Sequence, residues 1–544
     1  MSHIPHRTRR RSRSVWALIT GAAITAATLV AVTPAQATAD APLQIYPAAA
    51  IYSASSDYTL TVNDQNVPVT SGGSYDTAQL AMGSGTARIR LTKINNTNIG
   101  AYSVSPRSLD IDATVSGSSI EFTINKPSYL IAKIDGRREV VIAIDPWESD
   151  RPAASGAGTF NVTAAPYDAV TGLNGSNQKA AFQQALNDAA AWGTAHGSQG
   201  IVYVPAGVYQ LGTLYMRSNL SLYLEPGAVL RYSGDRDHNE VHWHKKSQNR
   251  DVSWFLSTRY WSENITVHGR GIIDGNGKAT VDSTGLANNL LAPIHTSDFR
   301  LDGITFRESS SWAVIPTRSD NLHFTNMKIF NRLDMGENDG IDVMESQHVS
   351  VTNAIGIALD DPFSTKTWDK NTDLFLGKPG NPEPLEDVTF DGLVTWSLCY
   401  GVKVGQGVQA AQNDVRFRNV DMYSVAVGIG VHHKYGSATA SNILFENIRI
   451  ERFASSNDGL QTWLAIWVVD GGRGVGPIQN VTIRNVTVDA NSSTAARVRG
   501  LSSAEISTVK LEQIRMPGTT SNAATLADAK VTDTANVNEL TITP

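Results

Sequence analysis

The chain of 544 residues contains a single cysteine, Cys399, and few charged side chains. One cysteine cannot form an intramolecular disulfide, so the folded state must be stabilised by burial of apolar side chains. Histidines and cysteines do not occur at the spacing of a metal-binding motif; His432 and His433, for example, are adjacent. The sequence therefore predicts neither a disulfide framework nor a metal or other cofactor.

Charged residues make up only 18% of the chain, against 41% apolar residues, which allows a large core and excludes a disordered polymer. Positive charge is in deficit, because the formal net charge is −6. An acidic surface argues against nucleic acid and anionic membranes as partners.

The first 37 residues differ from the rest. They contain five arginines and no acidic residue, then an Ala-, Val- and Thr-rich run at 15–32, then the small residues Ala35 and Ala37. This layout predicts a secretory signal peptide over residues 1–37, and hence a secreted, extracellular protein with no membrane partner after cleavage. A membrane anchor is the alternative, because the run approaches spanning length. Cleavage changes the net charge from −6 to −11, since five positive charges are lost.

Residues 41–147 contain short runs of alternating apolar and polar residues separated by Ser, Gly and Asn. This pattern predicts a small antiparallel β-sandwich domain. A structural role is favoured over a binding role, because no aromatic platform stands out. Residues 148–163 are rich in small residues and are predicted to be a linker.

After one predicted helix at 177–192, the rest of the chain is β-like and repetitive. An apolar template, polar-Φ-x-Φ-x-(Asn/Gly)-Φ-x-Φ, occurs nine times, and the intervals range from 23 residues (298 to 321) to 39 residues (348 to 387). The repeats begin at Asn264, Asp298, Asn321, His348, Asp387, Asp414, Asn442, Asn480 and Thr508. Periods in this range indicate stacked units, and most are too short for a propeller blade of about 40 to 45 residues. The sequence predicts an all-β fold in which residues 164–544 form a parallel β-helix. The loop at 367–384 would then form the rim of a surface cleft.

Four aspartates are concentrated between residues 336 and 361: Asp339, Asp342, Asp360 and Asp361. Asp339 and Asp360 are 21 residues apart (360 − 339), close to one coil, and residues one coil apart stack about 4.8 Å from each other. Crowded carboxylates cannot all ionise without cost, so at least one should have a raised pKa. Hydrolysis of a glycosidic bond needs such an acid beside an ionised base.

Alternation along the strand before Asp360 predicts that Ile355, Ile357 and Leu359 face the core and that Asp360 faces solvent. Asp361 would then face the core unless the chain turns, and Pro362 offers that turn.

Two other functions fit the same residues. Crowded carboxylates could bind calcium, which takes 6 to 8 oxygen ligands and would suit a polysaccharide lyase. A non-enzymatic alternative is a carbohydrate-binding β-helix adhesin with the sandwich as its active module. A hydrolase needs no metal.

The segments NDGID (338–342) and LDD (359–361) resemble the catalytic signatures of polygalacturonases, glycoside hydrolase family 28. A sandwich before such a helix is also similar to the dextranase and isopullulanase family, glycoside hydrolase family 49. The resemblance implies a right-handed parallel β-helix and an inverting hydrolase of a polysaccharide or oligosaccharide. It implies that Asp360 is the general acid and that Asp339 and Asp361 hold and activate the water.

The chain departs from polygalacturonases around the site. Tyr400 stands at the position of their Gly-His-Gly histidine, with Lys403 just beyond it, and no Arg-Ile-Lys motif follows to bind a substrate carboxylate. His432, His433 and Lys434 could supply part of the missing charge, but a carboxylate is best bound by a bidentate arginine. These departures predict a neutral or differently linked glycan rather than polygalacturonate, and a pectin-degrading polygalacturonase is the alternative.

The remaining predicted substrate-binding residues are Asp342, Trp368 and Trp396. The tryptophans lie in or near the catalytic coils, as do Trp463 and Trp467, and could stack on sugar rings. Ordinary packing in the β-helix is the alternative for each tryptophan, and a turn position is the alternative for Asp342.

Overall fold

The computed structural model describes residues 39–544 except 96, 174–176, 369–380 and 456–458. The predicted signal peptide and most of the 367–384 loop lie outside the described residues. Within the described part, no helix has the length and apolar character needed to cross a bilayer.

Eleven described strands between residues 43 and 146 form two sheets around a shared apolar core. The sheet orders are β1-β5-β11-β10-β7, with β4 beside β5, and β3-β2-β6-β9-β8. Pairing is antiparallel except between β5 and β11, which run parallel, so the sandwich is mixed at this one point. The strands are β1 (Leu43–Ile45), β2 (Tyr58–Val62), β3 (Gln65–Val67), β4 (Thr70–Ser71), β5 (Asp76–Met82), β6 (Ala87–Lys93), β7 (Tyr102–Ser105), β8 (Thr114–Ser116), β9 (Ser119–Ile124), β10 (Ser128–Ile134) and β11 (Val140–Pro146), with a 3-10 helix at Arg107–Leu109.

From Thr159 onward the chain winds into stacked parallel coils, so the predicted parallel β-helix is confirmed. The first coil already begins inside the predicted linker, because β12 (Thr159–Asn161) pairs with β13 (Gly200–Val204). The helix α1 (Lys179–His196) covers the first coils and buries Phe182, Ala185 and Leu186 against the core.

A long sheet contains most of the coil strands: β12, β13, β14 (Gly207–Leu211), β16 (Leu220–Leu224), β17 (Ala228–Tyr232), β20 (Glu263–Gly269), β21 (Ile272–Asp274), β23 (Ser297–Asp302), β24 (Thr305–Arg307), β25 (Asp320–Thr325), β26 (Lys328–Phe330), β28 (Gln347–Ala358), β30 (Leu385–Ser397), β32 (Gln412–Ser424), β34 (Ala440–Ile450), β36 (Ile478–Val488), β38 (Ile506–Arg515) and β40 (Leu540–Thr543).

Two shorter sheets contain the remaining strands. One has β15 (Leu214–Met216), β18 (Trp243–Lys245), β19 (Arg250–Thr258) and β22 (Leu286–Ala292), with a 3-10 helix at Lys246–Gln248 and the helix α2 (Gly277–Thr284) nearby in sequence. The other, called the cleft sheet below, has β27 (Ile341–Met344), β29 (Phe363–Thr367), β31 (Tyr400–Val408), β33 (Val427–Tyr435), β35 (Thr462–Val468), β37 (Ala496–Arg499) and β39 (Val531–Ala535).

The repeated template corresponds to two fixed turns in each coil. All nine first residues of the repeats have a left-handed backbone, with φ between 50° (His348) and 57° (Asn321). The Asn/Gly position five residues later is also left-handed in all nine coils, and Gln513 occupies it in the last. Gly, Asn and Asp adopt this conformation most easily, which explains their recurrence. Stacked amides connect the coils, as where Asn353 donates to Asn326 at 2.7 Å.

The left-handed residue changes which side chains face the core, so one prediction is wrong. Val351 and Ala354, on either side of Asn353, both face the core. Ile355 and Ile357 instead point out of the coil and pack against the sandwich.

The sandwich packs on this outer face of the β-helix, and residues 40–544 form one compact unit. At the centre of the contact, the ammonium of Lys328 lies 2.8 Å from both carboxylate oxygens of Asp145, and Tyr129 donates to the same carboxylate at 2.9 Å.

Candidate active site

The four aspartates lie at the beginning of two neighbouring strands of the cleft sheet. The segment that leads into β27 stacks on the segment that leads into β29: the amide of Gly340 donates to the carbonyl of Asp361 at 2.9 Å. A Cβ at residue 340 would lie 2.2 Å from the carbonyl oxygen of Pro362, so only glycine permits this contact. The stacking predicted from the 21-residue interval is present.

Asp339 and Asp342 are both buried and share one lysine. Lys366 donates to Oδ2 of Asp339 at 2.7 Å and also binds Oδ1 of Asp342. Burial raises the pKa of Asp339 well above its usual value, and Lys366 opposes that shift. Asp342 also accepts a hydrogen bond from Ser364. Because a single ammonium balances only one of two neighbouring carboxylates, the pair of Asp339 and Asp342 favours keeping one proton.

Asp361 is buried beside its own lysine. Lys403 donates to Oδ2 of Asp361 at 2.7 Å, and the amide of Tyr400 donates to Oδ1 at 3.3 Å. Burial alone would raise the pKa of Asp361, but the charges of Lys403 and then Lys366, together with hydrogen bonds from Lys403 and the Cys399 thiol, lower it below its usual value. Asp361 is therefore an ionised carboxylate.

Asp360 differs from its neighbours because it is partly exposed and faces a cavity. Its backbone is fixed by Ser397, which donates to its carbonyl oxygen at 2.7 Å. Burial and the charge of Asp361 raise the pKa of Asp360 to about 6. At weakly acidic pH it can donate a proton to a ligand in the cavity.

The cavity has a volume of about 500 Å³ and extends from Asp360 across the cleft sheet. Its main polar and aromatic lining residues are Asp360, Tyr400, Lys403, His432, Lys434, Trp467 and Arg497. This volume is within the range of small-molecule sites, about 300 to 1,000 Å³.

Two cations of the cavity lining, Lys403 and Arg497, lie in one row across the cleft sheet. Lys403, Gly430, Ala465 and Arg497 are neighbours in register on successive strands β31, β33, β35 and β37. Gly430 and Ala465 separate the two cations along the row and do not themselves line the cavity. A Cβ on Gly430 would lie 2.3 Å from the ring of Tyr400, so the missing side chain makes room for the tyrosine.

One wall of the cavity is aromatic. The ring of His432 stacks on Trp467 with centroids 4.3 Å apart, and Trp467 donates to the hydroxyl of Tyr400 at 3.3 Å. Burial, and then the charge of Lys403, lower the pKa of His432 well below its usual value. His432 is therefore a neutral ring at this wall and does not supply the positive charge expected from the sequence.

Four predicted substrate-binding residues do not line the cavity: Asp342, which is fully buried on Lys366, and Trp368, Trp396 and His433, which lie elsewhere. Trp396 packs 5.4 Å from Tyr75 in the contact with the sandwich, because it follows the left-handed position of its coil and points outward. Trp368 is 1% exposed in a cluster of apolar side chains. His433 is buried with Nε2 2.8 Å from the carbonyl oxygen of Ala438. Alternation along β33 turns it away from His432. These three side chains therefore do not reach a ligand in the cavity.

The sequence did not indicate four charged residues at the site. Lys366 and Arg497 come from cleft-sheet strands, Lys245 is the last residue of β18, and Glu337 lies in the connection before β27. The position of Lys366 was predictable, because it lies two residues after Ser364 in the strand that follows LDD and therefore faces the same side as Ser364. The position of Arg497 was not predictable, because the segments that connect its strand to the preceding strands of the cleft sheet differ in length.

Two groups of acidic and thiol side chains have ligand atoms within 4.8 Å of one another: Glu337, Asp339 and Asp360, and Asp360, Asp361 and Cys399. Ammonium groups already counter these charges, because Lys366 binds Asp339 and Lys403 binds Asp361. We assign no metal ligands among the described residues.

The profile of glycosyl hydrolases family 28 matches residues 197–535. An exopolygalacturonase clone of Arabidopsis thaliana is 23% identical over 227 residues, covering 36% of this chain and 53% of the relative. A probable polygalacturonase of Vitis vinifera is 23% identical over 269 residues, covering 46% and 54%. This chain thus spans about half the length of the curated relatives it matches. The exopolygalacturonase structure from Thermotoga maritima has a TM-score of 0.50 at 14% identity, covering 69% of this chain and 93% of that one. This likeness bears out the right-handed fold class.

Proposed function

Because this chain belongs to glycosyl hydrolases family 28, we propose that it hydrolyses O-glycosidic bonds of a polysaccharide or oligosaccharide. The observation that carries the proposal is Asp360, a partly exposed carboxyl with a pKa of about 6 that faces the cavity beside the ionised Asp361. An acid and a base in one site are the requirement for glycoside hydrolysis.

In the proposed mechanism Asp360 protonates the leaving glycosidic oxygen. Asp361 accepts the proton of the attacking water, since Lys403 keeps it ionised at the pH where Asp360 is still protonated. Asp339, held by Lys366, orients the same water. Attack from the face opposite the leaving group gives inversion, as the family resemblance implies.

The substrate class depends on the positive charges of the cavity. The sequence favours a neutral glycan because the family's arginine is missing at residues 430–432. In the folded chain Arg497 occupies the far end of the row that begins at Lys403. Its Nε binds Asp533 at 3.1 Å, and Asp533 also binds Arg499. One carboxylate therefore faces two guanidinium groups and balances only one of their two positive charges. With Lys434 also in the lining, we propose that the bound sugar carries an anionic group; a neutral glycan is the second candidate.

The deciding experiment is a screen of the purified protein on neutral and uronate-containing polysaccharides, with new reducing ends measured. We expect Asp360→Asn to lower turnover at least about 100-fold. The matched control is Asp334→Asn, because Asp334 lies in the same segment and is half exposed on Arg332. NMR of the first-formed anomer tests inversion.

The same screen separates the rival functions. A lyase would release an unsaturated product that absorbs in the ultraviolet and would lose activity with a chelator. An adhesin would bind a glycan without turnover, and Asp360→Asn would leave that binding intact.

We also propose that the protein acts outside the cell. The support is the signal-peptide layout of residues 1–37. N-terminal sequencing of the protein recovered from culture medium tests it, with cleavage after Ala37 as the expected result.

A further inference from the structure

A third ammonium–carboxylate pair borders the site and has no role in the proposed mechanism. Lys245 is the last residue of β18, which folds back antiparallel on β19. Its side chain is 2% exposed, and its ammonium binds the carboxylate of Glu337, 92 residues later in the chain. A hairpin from an early coil therefore reaches the catalytic aspartates.

Glu337 lies directly beside the proposed acid. Carboxylate oxygens of Glu337, Asp339 and Asp360 all lie within 4.8 Å of one another. The backbone of Glu337 is left-handed, with φ of 62°, a conformation that residues other than glycine adopt less readily. The side chain of Glu337 is held by its ion pair with Lys245.

One indole fixes both ammonium groups on this side of the site. The ammonium of Lys245 lies 5.4 Å and that of Lys366 4.5 Å from the ring centroid of Trp312, which is itself buried. Lys366 holds Asp339, and Lys245 holds Glu337. The two carboxylates next to Asp360 are thus held by two lysines on a common aromatic ring.

We propose that Glu337 is a positioning residue for the acid Asp360, and that Lys245 fixes Glu337 and balances its charge. The negative charge of Glu337 helps Asp360 to keep its proton, and the positive charge of Lys245 limits that effect. The inference rests on the proposed role of Asp360. The other charged groups that face Asp360 are Asp361, Lys403, Asp339 and Lys366.

The proposal predicts opposite shifts in two variants. Activity is lost as the pH rises through the pKa of the acid. Glu337→Gln removes a negative charge and leaves Lys245 unpaired, which lowers the pKa of Asp360. The alkaline limb of the kcat/KM profile therefore shifts to lower pH by about 1 unit. Lys245→Met removes the positive charge and leaves the negative charge of Glu337, which raises the pKa of Asp360 and shifts the limb to higher pH. The double variant returns the limb toward that of the wild type.

A matched control separates this role from loss of a buried ion pair. Lys93 is likewise buried, with 5% of its side chain exposed, and binds Asp135 in the sandwich. Lys93→Met should lower the melting temperature but leave the pH profile in place. A purely structural role for Lys245 would lower kcat at all pH values without moving the limb. An unchanged limb in Glu337→Gln, or shifts of the same sign in both variants, overturns the proposal.

A second readout is independent of turnover. Infrared difference spectra between each protein and its Asp360→Asn form follow protonation of the Asp360 carboxyl directly. If the wild type hydrolyses no glycan, the proposed function fails, but these spectra still decide whether Glu337 and Lys245 move the titration of Asp360 in opposite directions. If hydrolysis is found and the spectra do not shift, only the role of Glu337 fails.

Discussion

Lys403 places its ammonium 2.7 Å from Oδ2 of Asp361, and the residue immediately before Asp361 is the proposed acid. Two aspartates adjacent in sequence thus have opposite shifts in pKa, lowered for Asp361 and raised for Asp360. The difference arises because the ammonium binds only one of them directly and the other faces the cavity next to a fixed negative charge. Separated pKa values are what an acid and a base working at one pH require.

The first prediction concerns the pH dependence of hydrolysis. Asp360 must be protonated to act as the acid, and its pKa is raised to about 6. We expect kcat/KM to fall about tenfold per pH unit above pH 6, measured between pH 4 and 9 on the best substrate of the screen. A rate constant that stays level to pH 8 would contradict the assignment of the acid.

The second prediction is that Asp360→Asn stabilises the protein at high pH. The folded-state pKa of Asp360 lies above its ordinary value of 3.8, so the wild-type carboxyl favours folding only at low pH and opposes it once ionised. Allowing for its partial exposure, we expect the variant to be about 1 to 2 kcal/mol more stable at pH 8 and unchanged at pH 3. Urea unfolding at both values measures this. Lower stability of the variant at pH 8 would refute it.

The third prediction concerns the Lys403–Asp361 pair. Lys403→Met leaves a buried carboxylate without its partner, which costs about 3 to 5 kcal/mol in the free energy of unfolding. The double variant Lys403→Met/Asp361→Asn should recover most of that stability but no activity, because the base is gone. Denaturant unfolding together with turnover distinguishes the two effects; recovery of activity in the double variant would exclude Asp361 as the base.

The fourth prediction tests the substrate charge. Loss of a charged hydrogen bond to substrate costs about 1.5 to 3 kcal/mol, so Arg497→Gln should lower kcat/KM on a uronate oligosaccharide about 10- to 100-fold. Activity on a neutral oligosaccharide should change little. Arg499→Gln is the matched control, since Arg499 binds the same Asp533 but does not line the cavity. Equal effects of the two variants would show that the arginines act on stability alone.

The fifth prediction concerns the contact between the sandwich and the β-helix. Lys328 and Asp145 form a buried ion pair across it. Lys328→Met should cost about 1 to 3 kcal/mol, because Asp145 loses its nearest cation while Arg270 stays 3.9 Å away. We expect calorimetry of the wild type to show one cooperative transition for residues 40–544. Separate melting of the sandwich in the wild type would show that the contact contributes little.

The sequence allowed the β-helix and the clustering of the aspartates to be predicted, because both depend on local spacing. The roles of acid and base came from the family resemblance and stay predictions. Nine templates specify nine coils, and a 21-residue interval is enough to stack Asp339 on the segment containing Asp361. The sandwich was also readable from alternation, apart from its one parallel strand pair.

The environment of the site was less readable, because it depends on which side of a strand each residue faces after a turn. Trp396 was assigned to substrate because of its place in the chain, but the left-handed turn before it sends the ring toward the sandwich. Arg497 was missed for the opposite reason. Its alignment with Lys403 passes through three strand pairings whose connections differ in length, and no period in the sequence shows that row.

The two left-handed turns in each coil also affect how this protein can change over evolution. Intervals between repeats vary from 23 to 39 residues, yet φ at the first position stays between 50° and 57°. Extra residues are therefore accommodated between the second turn of one coil and the first turn of the next, and they do not displace the next coil. The two longest intervals, which begin at residues 348 and 442, supply the acid and the Trp467 wall of the cavity. New substrates can be accommodated by insertions and deletions there, while the hydrolytic carboxyls keep their mutual positions.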